Sequence, residues 1–132
     1  MKTTIKWISS LALVLALFSC GKTKEVEVDP STLVEEKKLS ELEMKQLGQK
    51  LFNGKGTCNA CHQSDSKGVG PSVKEVVRIY DEHKASIVTF LKGEGEPIVD
   101  PKQFMVMQAN FVITKKMTNQ ELQAIEVYMR SL

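Results

Sequence analysis

The sequence has few cysteines and histidines, few aromatic residues and no apolar run long enough to span a membrane. Its 132 residues include 3 Cys and 2 His, and aromatic residues make up 6% of the total. So few cysteines cannot form a dense disulfide framework. A hydrophobic content of 42% and a charged content of 26% are close to the averages for soluble globular proteins, which argues against a disordered chain and a multi-span membrane protein. The length allows one small domain.

The small excess of positive charge comes from the first residues. Lys2 and Lys6 account for two of the 18 basic residues, and residues 1–19 contain no acidic residue, so 16 basic residues face 16 acidic ones in the remainder. A protein that binds nucleic acid needs a basic excess or a basic stripe to neutralise phosphates. We therefore expect no nucleic-acid partner.

Residues 1–19 have the pattern of a secretory signal, because two lysines precede an apolar stretch over residues 7–18. A permanent transmembrane helix needs roughly 20 apolar residues, so this stretch is too short. The end of the segment, LFSCG, resembles the lipobox of bacterial lipoproteins. The resemblance implies cleavage before Cys20, a lipid anchor on Cys20, and export to a bacterial membrane facing the periplasm or the outer surface. The alternative is an ordinary signal cleaved nearby, which leaves Cys20 as a thiol.

Residues 20–39 are predicted to form a flexible tether. They are rich in charge, nearly free of aromatic residues and interrupted by Pro30. This leaves residues 40–132 as the folded domain.

Two helices are predicted to bracket that domain. Ser40 is followed three residues later by Glu43, and Thr118 by Glu121, and both pairs have the pattern of a capping box. Apolar residues then recur at helical spacing, at Leu42, Leu47, Leu51 and Phe52 in the first helix and at Leu122, Ile125, Tyr128, Met129 and Leu132 in the second. Gly48 lies on the first stripe and would permit a close helix crossing, with Phe52 and Tyr128 at the contact.

The middle of the domain is predicted to hold short helices and loops. Val73–Tyr80 and Ala85–Lys92 are helical candidates, and no alternating strand pattern of useful length is present. Residues 97–116 show few regular signals and are predicted to form a long loop. The expected fold class is all-α.

The strongest signal is Cys58-Asn59-Ala60-Cys61-His62. Two thiols separated by two residues can each add to one vinyl group of a haem, and the adjacent His presents a ring nitrogen to the iron. Three other readings are weaker. A thioredoxin-like pair lacks its strand and helix context, a structural zinc site lacks a full ligand set, and a disulfide leaves His62 unexplained. We expect one covalent haem c, which together with the lipid site uses all three cysteines.

The chain resembles class I cytochromes c over most of residues 40–132. Residues 48–62 look like that family's first helix running into the haem motif. Gly70-Pro71-Ser72 looks like its Gly-Pro segment, and residues 121–132 look like its C-terminal helix. The resemblance implies a small cytochrome c fold, with the N- and C-terminal helices crossing and the middle segments wrapped around one haem. It also implies that the Pro71 carbonyl accepts a hydrogen bond from His62, the proximal iron ligand.

Five of the six methionines are candidates for the distal position on the iron, as is His83, which is interpreted as a solvated residue. Met44 and Met129 lie in the terminal helices, where Met most often fills the core, and Met117 fits a hydrophobic staple with Leu122. Met105 and Met107 remain, and in an extended loop both side chains point the same way. Family resemblance favours Met107 by position, with Met105 as runner-up.

The resulting hypothesis is an electron-transfer protein, a membrane-tethered mono-haem c-type cytochrome that passes single electrons between respiratory-chain partners. An oxidase or reductase and an upstream donor are the expected partners, with no small-molecule substrate. No enzyme activity is expected, because no distal acid–base pair and no second haem motif are evident. The alternative is a haem-based sensor or gas-binding module with an open or labile sixth ligand. Rapid binding of carbon monoxide to the ferrous form would distinguish it.

Overall fold

The computed structural model describes residues 38–132, and this part of the chain contains helices and loops without a β-strand. The helices are α1 (Glu41–Asn53), α2 (Val73–Glu82), α3 (Ile87–Leu91), α4 (Phe104–Gln108), α5 (Phe111–Thr114) and α6 (Asn119–Arg130), with a 3-10 turn at Cys58–Ala60 between α1 and α2. The prediction of an all-α fold is confirmed.

Both terminal helices begin at the predicted capping boxes. At the start of α1 the Ser40 amide donates to Glu43 Oε2 at 2.8 Å, and the Glu43 amide donates to Ser40 Oγ at 3.3 Å. At the start of α6 the Thr118 amide donates to Glu121 Oε2 at 2.8 Å, and the Glu121 amide donates to Thr118 Oγ1 at 3.1 Å. Each box satisfies amides that have no partner inside the helix, which is why both helices start where the sequence predicts.

Helices α1 and α6 cross at Gly48, as predicted. A Cβ atom placed on Gly48 would lie 2.6 Å from the Ala124 carbonyl carbon and 2.7 Å from Tyr128 Cβ, closer than real Cβ contacts. Only glycine therefore allows this approach. Next to the crossing, the rings of Phe52 and Tyr128 pack edge to face with their centroids 5.5 Å apart.

The core lies between this helix pair and the shorter helices. Leu122 and Ile125 of α6 are fully buried, and Met117 packs into the same cluster. Met117 and Leu122 thus occupy the positions of the predicted hydrophobic staple. Two residues of the predicted apolar stripes do not join the core, because Leu42 is 64% exposed and Leu132, beyond the end of α6, is 37% exposed.

The prediction of a long loop over residues 97–116 is wrong. The segment contains α4 and α5, helices of only five and four residues. Helices this short have little stability of their own, so no local signal marks them in the sequence. They are held by tertiary packing, since Phe104 of α4 and Phe111 of α5 both pack against Phe90 of α3.

Thr114 at the end of α5 is fully buried, and its Oγ1 has no hydrogen-bond partner among the described residues. Such a hydroxyl carries a desolvation cost of about 1–3 kcal/mol. We expect Thr114→Val to raise the free energy of unfolding by about 1 kcal/mol, measured by urea denaturation of the full-length protein. Thr114→Ser keeps the hydroxyl, loses a buried methyl and should be destabilising. A destabilising Thr114→Val would contradict this account of the hydroxyl.

The predicted signal (residues 1–19), Cys20 and most of the predicted tether (residues 20–39) lie outside the described residues. No helix within residues 38–132 is long and apolar enough to cross a membrane.

Candidate functional site

The segment after α1 folds into a tight loop that presents the Cys-X-X-Cys-His motif. The Gly56 amide donates to the Leu51 carbonyl at 2.7 Å, which turns the chain back at the end of the helix. Thr57 then adopts the left-handed conformation, with φ at 52° and ψ at 20°. A β-branched residue in this region costs roughly 1–2 kcal/mol, so the surrounding contacts must hold it there.

The 3-10 turn that follows brings the two cysteines and the histidine together. The His62 amide donates to the Cys58 carbonyl at 2.9 Å, and the Cys61 amide to the same carbonyl at 3.2 Å. Cys58 and Cys61 are both free thiols, not a disulfide.

The imidazole of His62 is oriented by the segment before α2. Nδ1 of His62 lies 2.8 Å from the carbonyl oxygen of Pro71, as the family resemblance implied. Because a carbonyl oxygen can only accept, Nδ1 carries the proton, and Nε2 of this tautomer keeps its lone pair for a metal. The structure therefore fixes both the ring orientation and the nitrogen that can ligate iron.

Gly70 allows the histidine ring to lie against this segment. A Cβ atom on Gly70 would come within 2.6 Å of His62 Cε1 and 3.1 Å of Nε2. The Gly70 amide also donates to the Cys61 carbonyl at 3.0 Å, which ties the two loops together. A larger residue at position 70 would displace the His62 ring. Gly70 and Pro71 therefore position the imidazole as well as form the turn.

A cavity of about 360 Å³ lies beside the motif. Its wall includes Cys58, Cys61, His62 and Met107, and most of the remaining wall is aliphatic or aromatic. Asp100 is the one carboxylate among the described lining residues, and it lies 3.9 Å from Lys67 Nζ. The cavity is thus apolar, with sulfur and imidazole donors on its wall.

Two titratable groups in the wall are held in their neutral forms. Burial raises the pKa of the Cys58 thiol to about 11. Burial also raises the pKa of Tyr80 to about 12. A low-dielectric environment disfavours the anion, so both groups stay uncharged to a higher pH than they would in water.

The methionines fall into distinct environments. Met107 is half-buried and lines the cavity, whereas Met105 on the same helix is 79% exposed and does not line it. Met129 of α6 also lines the cavity, while Met117 is buried in the core. His83 is exposed at the end of α2 and lies outside the cavity wall. These positions favour Met107 over Met105 as the residue that faces a bound group.

A family model for cytochrome c matches residues 46–132 of the chain. The chain belongs to the cytochrome c family. No curated protein matches it. Membership shows that the cofactor of this cytochrome is covalent haem c and that its role is haem-based electron transfer. The match covers α1 from Gln46 onward and all the later helices, so the predicted family is confirmed for residues 46–132.

The residues of the site fit haem c. Two free thiols separated by two residues, an imidazole with Nε2 available and a half-buried thioether line one apolar cavity. An apolar wall suits the porphyrin faces, and the glycine at position 70 leaves room for the His62 ring. When bound, the group supplies one-electron chemistry at iron, and the residues of this cytochrome hold it, exclude water and set its electronic environment.

Sequence reasoning missed an aromatic cluster that shapes the cavity. Phe90, Phe104 and Phe111 contact one another with centroid separations of 5.4–6.1 Å, and Phe90 also contacts Tyr80. Phe104 precedes Met107 and Phe111 follows it, so the cluster holds the Met107 segment at both ends. No local pattern predicts it, because the three rings come from separate elements.

Proposed function

We propose that this cytochrome is a mono-haem electron carrier with Cys58 and Cys61 as the haem thioether sites, His62 as the proximal iron ligand and Met107 as the distal one. It passes single electrons between a respiratory donor and an oxidase or reductase. Its partners are redox proteins, and it acts as neither an enzyme nor a binder of small-molecule substrates. The observation that carries the proposal is the shared cavity wall of the two thiols, His62 and Met107.

A carrier works best when its iron keeps the same ligands in both oxidation states, because little then reorganises during transfer. The hydrogen bond from His62 Nδ1 to the Pro71 carbonyl holds the imidazole in one orientation. The Phe90, Phe104 and Phe111 cluster holds the Met107 segment. Both contacts support a stable pair of axial ligands.

The exposed rim of the cavity supports transfer to protein partners. Val69 and Val106 line the cavity and are 63% and 53% exposed. Redox proteins meet through small and transient interfaces, and a short apolar rim beside the cofactor is sufficient for such contact.

Binding of carbon monoxide tests the carrier against a gas sensor. We expect the ferrous full-length protein to bind carbon monoxide slowly or not at all at neutral pH, because Met107 occupies the sixth position. Stopped-flow mixing with carbon monoxide measures the rate. Rapid and complete binding would favour a labile sixth ligand and contradict the carrier proposal.

The second part of the proposal is a membrane tether. The lipobox-like sequence ending at Cys20 supports lipid attachment there, followed by a charged linker. Each buried methylene contributes about 0.8 kcal/mol, so two or three acyl chains make attachment effectively permanent. The cytochrome would then face the periplasm or the outer surface of a bacterial membrane.

Cys20→Ala tests the tether in a bacterial host. We expect the wild-type haem protein in the membrane fraction, and the variant released into the soluble exported fraction with its haem intact. Cys58→Ala and Cys61→Ala serve as matched cysteine variants that keep the membrane association but lose a thioether bond. Equal membrane association of wild type and Cys20→Ala would argue against lipidation.

A further inference from the structure

We propose that Asn110 is a positioning residue for Met107, because its carboxamide ties the Met107 segment to the loop that carries the haem cysteines. The inference rests on the proposed function, in which Met107 is the distal ligand. It goes further because it proposes that Asn110, which is not itself a ligand, determines how firmly Met107 binds the iron.

The side chain of Asn110 bridges two segments that are far apart in sequence. Its Nδ2 donates to the Gly56 carbonyl at 3.1 Å, across 54 residues. Its Oδ1 accepts a longer hydrogen bond from Thr57 Oγ1 at 3.4 Å. Gly56 and Thr57 directly precede Cys58, so Asn110 contacts the attachment loop immediately before the first thiol.

The backbone of Asn110 is fixed to the same helix end as Met107. The Asn110 amide donates to the Met107 carbonyl at 2.9 Å, and the Asn110 carbonyl accepts from the Ile113 amide at 2.9 Å. Because the residue is held on both sides, its side-chain bonds constrain where the Met107 segment lies relative to Cys58. Asn110 also lines the cavity and is half-buried, so its hydrogen bond to the Gly56 carbonyl is partly shielded from water, whereas the longer one from Thr57 is exposed.

The loop that Asn110 contacts is itself strained. Thr57 has a left-handed backbone, so it needs outside contacts to keep that conformation. The Asn110 carboxamide supplies one of them. Loss of the bridge therefore loosens both walls of the cavity, and the thioether of Met107 should leave the iron more readily.

Displacement of Met107 by imidazole measures this effect. Ferric full-length protein is titrated with imidazole, and loss of the weak far-red absorption band of Met ligation reports binding. Loss of two hydrogen bonds predicts that Asn110→Ala binds imidazole about tenfold more tightly than wild type. Asn110→Asp keeps the size of the side chain but removes the Nδ2 donor to the Gly56 carbonyl. The affinity of this variant protein for imidazole should therefore also increase.

Two variants separate positioning from general destabilisation. Gln108→Ala changes an exposed residue of the same segment and should stay within about twofold of wild type. Thr118→Ala removes the α6 cap and lowers stability, yet it should leave imidazole affinity unchanged. Equal affinities of Asn110→Ala, Asn110→Asp and wild type would overturn the proposal, as would an equal increase in Thr118→Ala. A wild-type protein without the far-red band would instead overturn the Met107 assignment, and this inference with it.

Discussion

Met107→Ala is expected to abolish the far-red ferric band of sulfur ligation and to lower the reduction potential. The thioether of Met favours ferrous iron, so its loss stabilises the ferric form. Axial ligation spans roughly 0.8 V among haem proteins, and we expect a fall on the order of 0.1 V or more. Visible spectroscopy and a potentiometric titration of the purified full-length protein measure both quantities.

Met105→Ala and Met129→Leu are the matched controls. Met105 lies on the same helix but is 79% exposed, and Met129 lines the cavity from α6. Both variants should retain the far-red band and a potential close to that of wild type. Loss of the band in either control, with retention in Met107→Ala, would show that the distal ligand is misassigned.

Gly48→Ala is expected to destabilise the protein, although alanine is the better helix former by about 1 kcal/mol. The added Cβ would meet the Ala124 carbonyl carbon and Tyr128 Cβ at 2.6 and 2.7 Å, so α1 and α6 must separate. Forcing a group into a packed contact costs about 1–3 kcal/mol. In a domain of this size each kcal/mol lowers the Tm by roughly 4–8 °C.

Gln49→Ala is the control for Gly48→Ala, because it changes an exposed neighbour in the same helix. Its effect on the free energy of unfolding should stay within about 0.5 kcal/mol. Urea denaturation of the haem-loaded proteins gives the comparison. If Gly48→Ala were as stable as Gln49→Ala, the close crossing described by the structure could not be correct.

The sequence predicts the terminal helices and their crossing well because the signals are local. Each capping box joins residues three positions apart, Ser40 with Glu43 and Thr118 with Glu121. The sequence pattern that predicts the start of each helix therefore lies within one helical turn. Gly48 can be recognised as a close-crossing site, because glycine weakens a helix and one inside an apolar stripe is best explained by the approach of a neighbouring helix. The haem motif is local as well, since five consecutive residues contain both thiols and the imidazole.

The Met107 segment could not be predicted in the same way. An extended loop would place Met105 and Met107 on one side, which left the choice between them to family resemblance. In α4 the two residues are about 200° apart around the helix axis, so one faces the cavity and the other the solvent. That helix has no side-chain cap and depends on Phe90, which lies in another helix.

Asn110 illustrates the same limit. Its partners Gly56 and Thr57 are more than 50 residues away, and nothing around position 110 marks the contact. Contacts of this kind follow from the assembled fold and not from a local pattern.

The visible spectrum of the purified full-length protein, oxidised and reduced and followed by a haemochrome assay, tests the central claim most directly. The account predicts a c-type spectrum from one haem that resists extraction, with the far-red band of Met ligation in the ferric form. Absence of covalent haem in protein made by a host that matures c-type cytochromes would contradict the assignment of Cys58, Cys61 and His62.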